Sequence, residues 1–382
     1  MKALFIFGTR PEAIKMAPII KRMLDSDGTF DIRICVTGQH RQMLDEVLHI
    51  FGIRPDYDLD LMKDNQSLAA LTAACIKSLD SVIAAEQPDW VIVQGDTTTA
   101  MAGALAAYYH CIKVAHVEAG LRTGDKFHPF PEETNRRMIA SIADIHFAPS
   151  RLASDNLIAE GVDESCIHIV GNTSIDAMRT ALDMAYDIDN SSLVTIPFDK
   201  KRIILVTAHR RENFGKPIRD ICQAIKTVAA RHSSEVHIVY PVHMNPNIVV
   251  PVRELLGGIE NITLLEPLDY LSFMHLLNLS YMVLTDSGGL QEEAPAMGKP
   301  VLVLRETTER VEAIHAGTAR LVGTHPATII AQVENLLCNQ SAYASMAKAV
   351  NPYGDGYTAQ RISTILYEIT VHGDTMKDEI SI

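Results

Sequence analysis

Two parallel-sheet α/β domains of the Rossmann type, facing each other across a cleft, are what this sequence predicts. Three observations carry the prediction. Short apolar runs rich in β-branched residues alternate with helical patterns, and such alternation requires right-handed crossovers and a parallel sheet. The alternation occurs twice, on either side of the polar, turn-rich stretch 186–192. At 382 residues, the chain is also too long for one ordinary core. The first domain is expected over 1–170 and the second over 171–356. A last helical segment, Tyr357–Tyr367, is a candidate to complete the first domain, as part of 357–375.

The expected strands of the first set are Lys2–Phe7, Asp31–Val36, Trp90–Gln94, Lys113–Val117, Asp144–Ala148 and Ile167–Val170. Those of the second are Arg202–Thr207, Val236–Tyr240, Ile262–Leu265, Tyr281–Thr285, Pro300–Leu304 and Ala319–Val322. Ligands of such sheets sit beyond the carboxyl ends of the strands, so the loops there are the candidate sites. After the first strand, Arg10 and Lys15 put two cations at a helix start, where they oppose the macrodipole unless an anion binds between them. Asp96, after Gly95, either caps the helix Thr97–Tyr109 or serves a ligand. Glu118 directly ends a buried strand and has no evident structural purpose. Glu132 and Glu133 begin a helix, where acidic residues are favourable in any protein.

In the second set, His209 lies beside Arg210 and Arg211, a cluster suited to a diphosphate and unfavourable to the imidazole's own proton unless an anion is near. The run Asp286-Ser287-Gly288-Gly289 joins a strand to a helix expected at Gln291–Met297. A strand ending in Ser-Gly-Gly offers unobstructed backbone N–H groups to a phosphate, and Glu293, a turn into the helix, could accept hydrogen bonds from a ribose diol. The alternative is that Asp286 or Ser287 caps the helix and the glycines only turn the chain.

Hydrophobic content of 47% and charged content of 21% are those of a globular protein. A net charge of −13 argues against nucleic acid or an anionic membrane as partner, so an anionic ligand needs local cations. No stretch of about 18 uncharged apolar residues occurs, and the apolar start ends at Gly8, so neither a membrane span nor a signal peptide is expected. Six scattered cysteines suggest reduced, mostly buried thiols and a cytoplasmic location. The fifteen histidines are dispersed, and no metal or cofactor is implied.

Taken together, Phe7 to Lys15, Gly95-Asp96-Thr97, His116 to Gly124, Pro131 to Arg136, His209 to Asn213 and Asp286 to Pro295 resemble the non-hydrolysing bacterial UDP-N-acetylglucosamine 2-epimerases. The resemblance runs to Gly323. It implies a GT-B glycosyltransferase-like fold, a homodimer, and interconversion of UDP-N-acetylglucosamine with UDP-N-acetylmannosamine, with UDP as the leaving group. By position, it implies catalytic roles for Asp96, Glu118, Glu132 and His209. Nucleotide and phosphate contacts would be Arg10, Lys15, Phe273, Ser287, Gly288, Gly289, Glu293 and Arg310. An activating second substrate molecule, used by some members, would bind near Gln39, Gln42, Arg211 and His243. Asn65 stands where an arginine of that site is expected, and Leu268 where some members carry a nucleotide-facing glutamine. A glycosyltransferase or a hydrolysing epimerase would use the same nucleotide site. The former needs an acceptor, and the latter releases free N-acetylmannosamine.

Overall fold

Ala3 to Phe7 is an apolar run with no residue exposed, and only a strand between two helix layers buries both its faces. In the structure, a computed structural model, this run belongs to β1 (Lys2–Phe7) of a seven-stranded sheet. The structure describes residues 1–379 except 27, 39, 40 and 63–65, and the side chains of 41–43 and 371–379 also lie outside the described set. The same sheet holds β2 (Asp31–Val36), β3 (Tyr57–Asp58), β4 (Trp90–Gln94), β5 (Lys113–Val117), β6 (Ile145–Ala148) and β7 (Ile167–Ile169). Its order is β3-β2-β1-β4-β5-β6-β7, all parallel.

A second, six-stranded sheet contains β8 (Arg202–Thr207), β9 (Val236–Pro241), β10 (Ile262–Leu265), β11 (Met282–Thr285), β12 (Val301–Val303) and β13 (Ala319–Leu321). Its strands are parallel in the order β10-β9-β8-β11-β12-β13. The expected strands all form, with ends shifted by a residue or two; β3 was not expected, being a two-residue edge too short to show a period. Each strand order reverses once, between β1 and β4 in the first sheet and between β8 and β11 in the second. At such a switch point, neighbouring loops run to opposite faces and leave a crevice at the carboxyl end.

Tertiary contacts divide the chain into two compact units, 1–177 with 353–382, and 178–352. The first boundary falls inside the helix Thr173–Asp183. The last helix, Thr358–Glu379, belongs to the first unit. Its opening N–H groups, at Thr358 and Ala359, donate to the Asp176 carboxylate at 3.2 and 2.9 Å, and Trp90 Nε1 donates to Thr370 Oγ1 at 3.2 Å.

The helix Leu68–Glu86 buries Leu71, Cys75, Leu79, Val82 and Ile83 at the three- and four-residue spacing of one face. Among the described residues it is the one helix long and apolar enough, by length and composition, to cross a membrane, and only 28% of its most apolar window is buried. Lys77 and Asp80 interrupt it. All six cysteines are free; Cys35, Cys75 and Cys222 are buried, whereas Cys111 and Cys338 are exposed and Cys166 is half-buried, which corrects the expectation of mostly buried thiols.

Candidate active site

In the first unit, Glu12 ties the two loops of the switch point together. Its Oε2 accepts the Gly8 and Thr9 N–H groups at 3.0 and 2.8 Å and the Thr9 hydroxyl at 2.7 Å, while Oε1 accepts Thr97 Oγ1 at 2.6 Å. Burial pushes this carboxyl's pKa up, and those donors oppose the shift. A Cβ on Gly8 would lie 2.1 Å from Thr37 Oγ1 and 2.7 Å from Thr99 Oγ1, so only glycine lets β1 end here.

Thr97, not Asp96, caps the helix Thr98–Tyr109, accepting the Ala100 N–H at 3.0 Å. Asp96 instead meets Arg136 at 2.5 Å, and its carbonyl accepts Asn135 Nδ2 at 2.9 Å. Glu118, at the end of β5, adopts φ +63°, a left-handed backbone unusual for a residue with a Cβ. Both its oxygens lie 2.6 Å from Lys15 Nζ; Gln94 Nε2 donates to Oε2, and Asn172 Nδ2 donates to Oε1 at 3.1 Å. Lys15, expected beside Arg10 at an anion, therefore holds Glu118. Arg10 is half-buried at its helix start, with no side-chain hydrogen bond or ion pair among the described residues.

The helix Glu132–Ala140 separates the two glutamates at its start. Glu133 is fully buried, accepts the Thr123 and Gly124 N–H groups at 3.1 and 3.3 Å, and meets Arg136 at 3.0 Å, so its role is structural. Glu132 Oε2 is buried with no hydrogen-bond partner among the described residues, which a carboxylate tolerates poorly in a resting fold. Below the site, His116 Nε2 lies 2.8 Å from the Gly95 carbonyl, and burial pushes its pKa down to about 3. As the carbonyl can only accept, Nε2 carries the hydrogen.

The second unit repeats the scheme at its own switch point. Asp286 does not cap the following helix, Leu290–Ala296, whose N-cap is Gly289; it reaches back to the end of β8. Its Oδ2 accepts the His209 and Arg210 N–H groups at 2.8 Å each and Asn213 Nδ2 at 2.9 Å. His209 stacks on His243 with ring centroids 5.5 Å apart. Burial is the main influence lowering the His209 pKa, Asp286 opposes it, and Arg210 and His243 add to it. The arginine effect anticipated from sequence is thus secondary.

The Ser287 N–H is not free for a phosphate, because it donates to Thr285 Oγ1 at 2.9 Å. The Gly288 and Gly289 N–H groups have no protein acceptor among the described residues. A Cβ on Gly288 would sit 3.0 Å from Glu309 Oε1 and 3.6 Å from the Arg310 guanidinium, which places Arg310 against this turn. Arg310 Nε lies 2.5 Å from Glu292 Oε1. Against the upward push of burial, the charge of Arg310 helps to hold Glu309 at about 2. Glu293 is half-buried on the Leu290–Ala296 helix and Phe273 on the Tyr270–Leu279 helix. Arg211 is exposed in the turn Arg211–Asn213. Gln39, Asn65 and the side chain of Gln42 lie outside the described residues. Among the described residues, no group of three His, Cys, Asp or Glu side chains could hold a metal ion. Sequence reading missed the links of Glu12 to Thr97, of Gln94 and Asn172 to Glu118, and of Asp286 to His209, since each joins residues distant in the chain.

Comparison with known proteins places these loops in context. The family model for UDP-N-acetylglucosamine 2-epimerase matches residues 22–367. The UDP-N-acetylglucosamine 2-epimerases of Yersinia pestis and Escherichia coli strain K12 are 50% and 49% identical over 367 residues, covering 95% of this chain and 97% of each relative. The crystal structure of the Neisseria meningitidis UDP-GlcNAc 2-epimerase bound to UDP-GlcNAc is similar at a TM-score of 0.87 and 44% identity, over 96% of this chain and 100% of that one. The Methanocaldococcus jannaschii enzyme, in complex with UDP-GlcNAc and UDP, matches at a TM-score of 0.78 and 34% identity, over 96% and 99%. With a matching family model over most of its length and relatives this similar end to end, the chain belongs to the UDP-N-acetylglucosamine 2-epimerase family.

Proposed function

We propose that this protein interconverts UDP-N-acetylglucosamine and UDP-N-acetylmannosamine without hydrolysis, in the cytoplasm, as a homodimer that feeds surface polysaccharide synthesis. The observation that carries the chemistry is the set of acids in the first unit: Asp96 and Glu118 at neighbouring strand ends, and Glu132 with an oxygen lacking a partner among the described residues. The proton on sugar carbon 2 is not adjacent to a carbonyl, so direct abstraction is very slow. Breaking the bond from carbon 1 to the diphosphate oxygen sends its electron pair off with UDP and gives the ring oxocarbenium character, which acidifies that proton. A carboxylate takes it in an anti elimination, leaving 2-acetamidoglucal. A carboxylic acid on the other face then returns a proton to carbon 2, and the β-phosphate oxygen attacks carbon 1 again. Two faces need more than one proton carrier, which Asp96, Glu118 and Glu132 can supply.

His209, Arg10, Arg310 and the Gly288 and Gly289 N–H groups would receive the growing negative charge of the diphosphate. Ser287 could contribute its hydroxyl, Glu293 the ribose contact and Phe273 a nucleotide contact. Lys15 enters as the partner that fixes the Glu118 carboxylate rather than as a phosphate ligand. Support for the dimer is the apolar surface left by the Leu68–Glu86 helix together with the exposed Tyr108 and Tyr109. A proton NMR time course in deuterated water, with UDP-N-acetylglucosamine alone, tests the reading. Expected is UDP-N-acetylmannosamine carrying deuterium at carbon 2. Retained hydrogen at that carbon contradicts the elimination, free N-acetylmannosamine indicates a hydrolysing enzyme, and turnover only with an added acceptor indicates a glycosyltransferase.

A further inference from the structure

We infer that Asp286 is a positioning residue for His209: its unshared oxygen, Oδ1, faces the Nδ1–H of the imidazole and fixes the tautomer that turns Nε2 to the diphosphate. The inference rests on the function proposed above only in giving His209 a diphosphate to serve.

Asp286 is fully buried, and its two oxygens have different work. Oδ2 holds the end of β8 through the N–H groups of His209, Arg210 and the Asn213 side chain. Oδ1 is buried, accepts no hydrogen bond from the described residues, and lies 3.5 Å from His209 Nδ1. Holding the loop does not require a charge. An asparagine oxygen would accept the same three donors without the cost of burying a carboxylate, so loop anchoring leaves the second oxygen unexplained.

The imidazole explains it. With Nδ1–H aimed at Oδ1, Nε2 has the lone pair and can pick up a proton from solvent water as the diphosphate anion draws near. The imidazolium is then compensated by Asp286 on one side and by phosphate on the other. The remaining groups acting on the ring, Arg210 and the stacked His243, both disfavour that cation.

Asp286→Asn is a sharp test because the geometry dictates how the amide must sit. Its oxygen has to remain with the three N–H donors, so its NH₂ group faces His209 Nδ1, which must then become the acceptor. The tautomer reverses while the loop stays anchored. The experiment is ¹⁵N NMR of histidine-labelled protein at neutral pH, with His209→Gln assigning the resonances, alongside kinetics of Asp286→Asn. Expected are a protonated Nδ1 in the wild type, the reversed tautomer in Asp286→Asn, a kcat lower by about 100-fold or more, and a KM and thermal midpoint close to wild type.

A wild-type His209 protonated at Nε2 rather than Nδ1 overturns the inference, as does an Asp286→Asn enzyme with wild-type kcat. If the variant does not fold, the wild-type spectrum decides alone. If the wild type converts no UDP-sugar, the proposed function fails, and the tautomer is still decided by the spectrum.

Discussion

Glu118 and Lys15 form an ion pair in which both side chains are largely out of water. Such a pair contributes little net stability, yet breaking it strands a buried charge. Lys15→Met and Glu118→Gln should each cost about 3 kcal/mol in urea unfolding, whereas the double variant should recover much of the loss and remain inactive. A double variant no more stable than the singles would contradict the pairing. His116 and His146 give a second residue-scale prediction. Burial holds them neutral down to about 3 and about 4, while the unfolded chain protonates near 6.5. Below that value the unfolded state binds more protons, so stability is present at neutral pH and lost on acidification, by about 2 kcal/mol per histidine at pH 5. Thermal midpoints at pH 7 and pH 5 check this, and His116→Gln should flatten the drop. Glu118 was legible in the sequence because a carboxylate ending a buried strand is anomalous. The link of Glu12 to Thr97, 85 residues away, and that of Asp286 to His209, 77 residues away, were not, because only the folded chain shows which distant polar atoms are satisfied.

Among elements, the strands were readable because burial on both faces leaves continuous apolar runs, which no exposed segment can imitate. Their spatial order was not, and the order decides that the loops after β1 and β4, and those after β8 and β11, share a switch point. Helix starts were read less well. Adjacent residues competed for one role, and local hydrogen bonding chose Thr97 over Asp96 as the cap and Glu133 over Glu132 as the acceptor of the Thr123 and Gly124 N–H groups. The loop after β5 yields a prediction at this scale. Gly120 has φ +88°, and a Cβ there would sit 2.1 Å from the Ala153 carbonyl oxygen. Because that neighbour is backbone, Gly120→Ala should cost at least about 2 kcal/mol and displace the Glu118 loop. A variant with an unchanged urea midpoint would show that this packing is looser than described.

For the molecule as a whole, the sequence predicted two α/β domains, and the chain has two such units, each with its own parallel sheet. The exact point of division was beyond sequence reading, since it falls inside the Thr173–Asp183 helix, whose pattern does not change there. Self-association is the prediction here. Tyr108 and Tyr109 are 61% and 63% exposed beside an apolar helix, and replacing both with glutamate should convert a dimer to monomers in sedimentation equilibrium. A wild type that sediments as a monomer would exclude the dimer.

The Thr358–Glu379 helix lies in the segment that starts at Tyr353 and rejoins the unit left at Ala177. Translation delivers the chain from its amino end, at roughly 5–20 residues per second, so that unit stays short of its closing helix until the whole of the intervening unit, 178–352, has been made. Through that interval, the Asp176 carboxylate lacks the helix start it caps, and Trp90 lacks Thr370. A nascent chain stalled after Ala177 should therefore be protease-sensitive and bound by chaperones, and emergence of Thr358–Glu379 should be the event that locks the amino-terminal sheet.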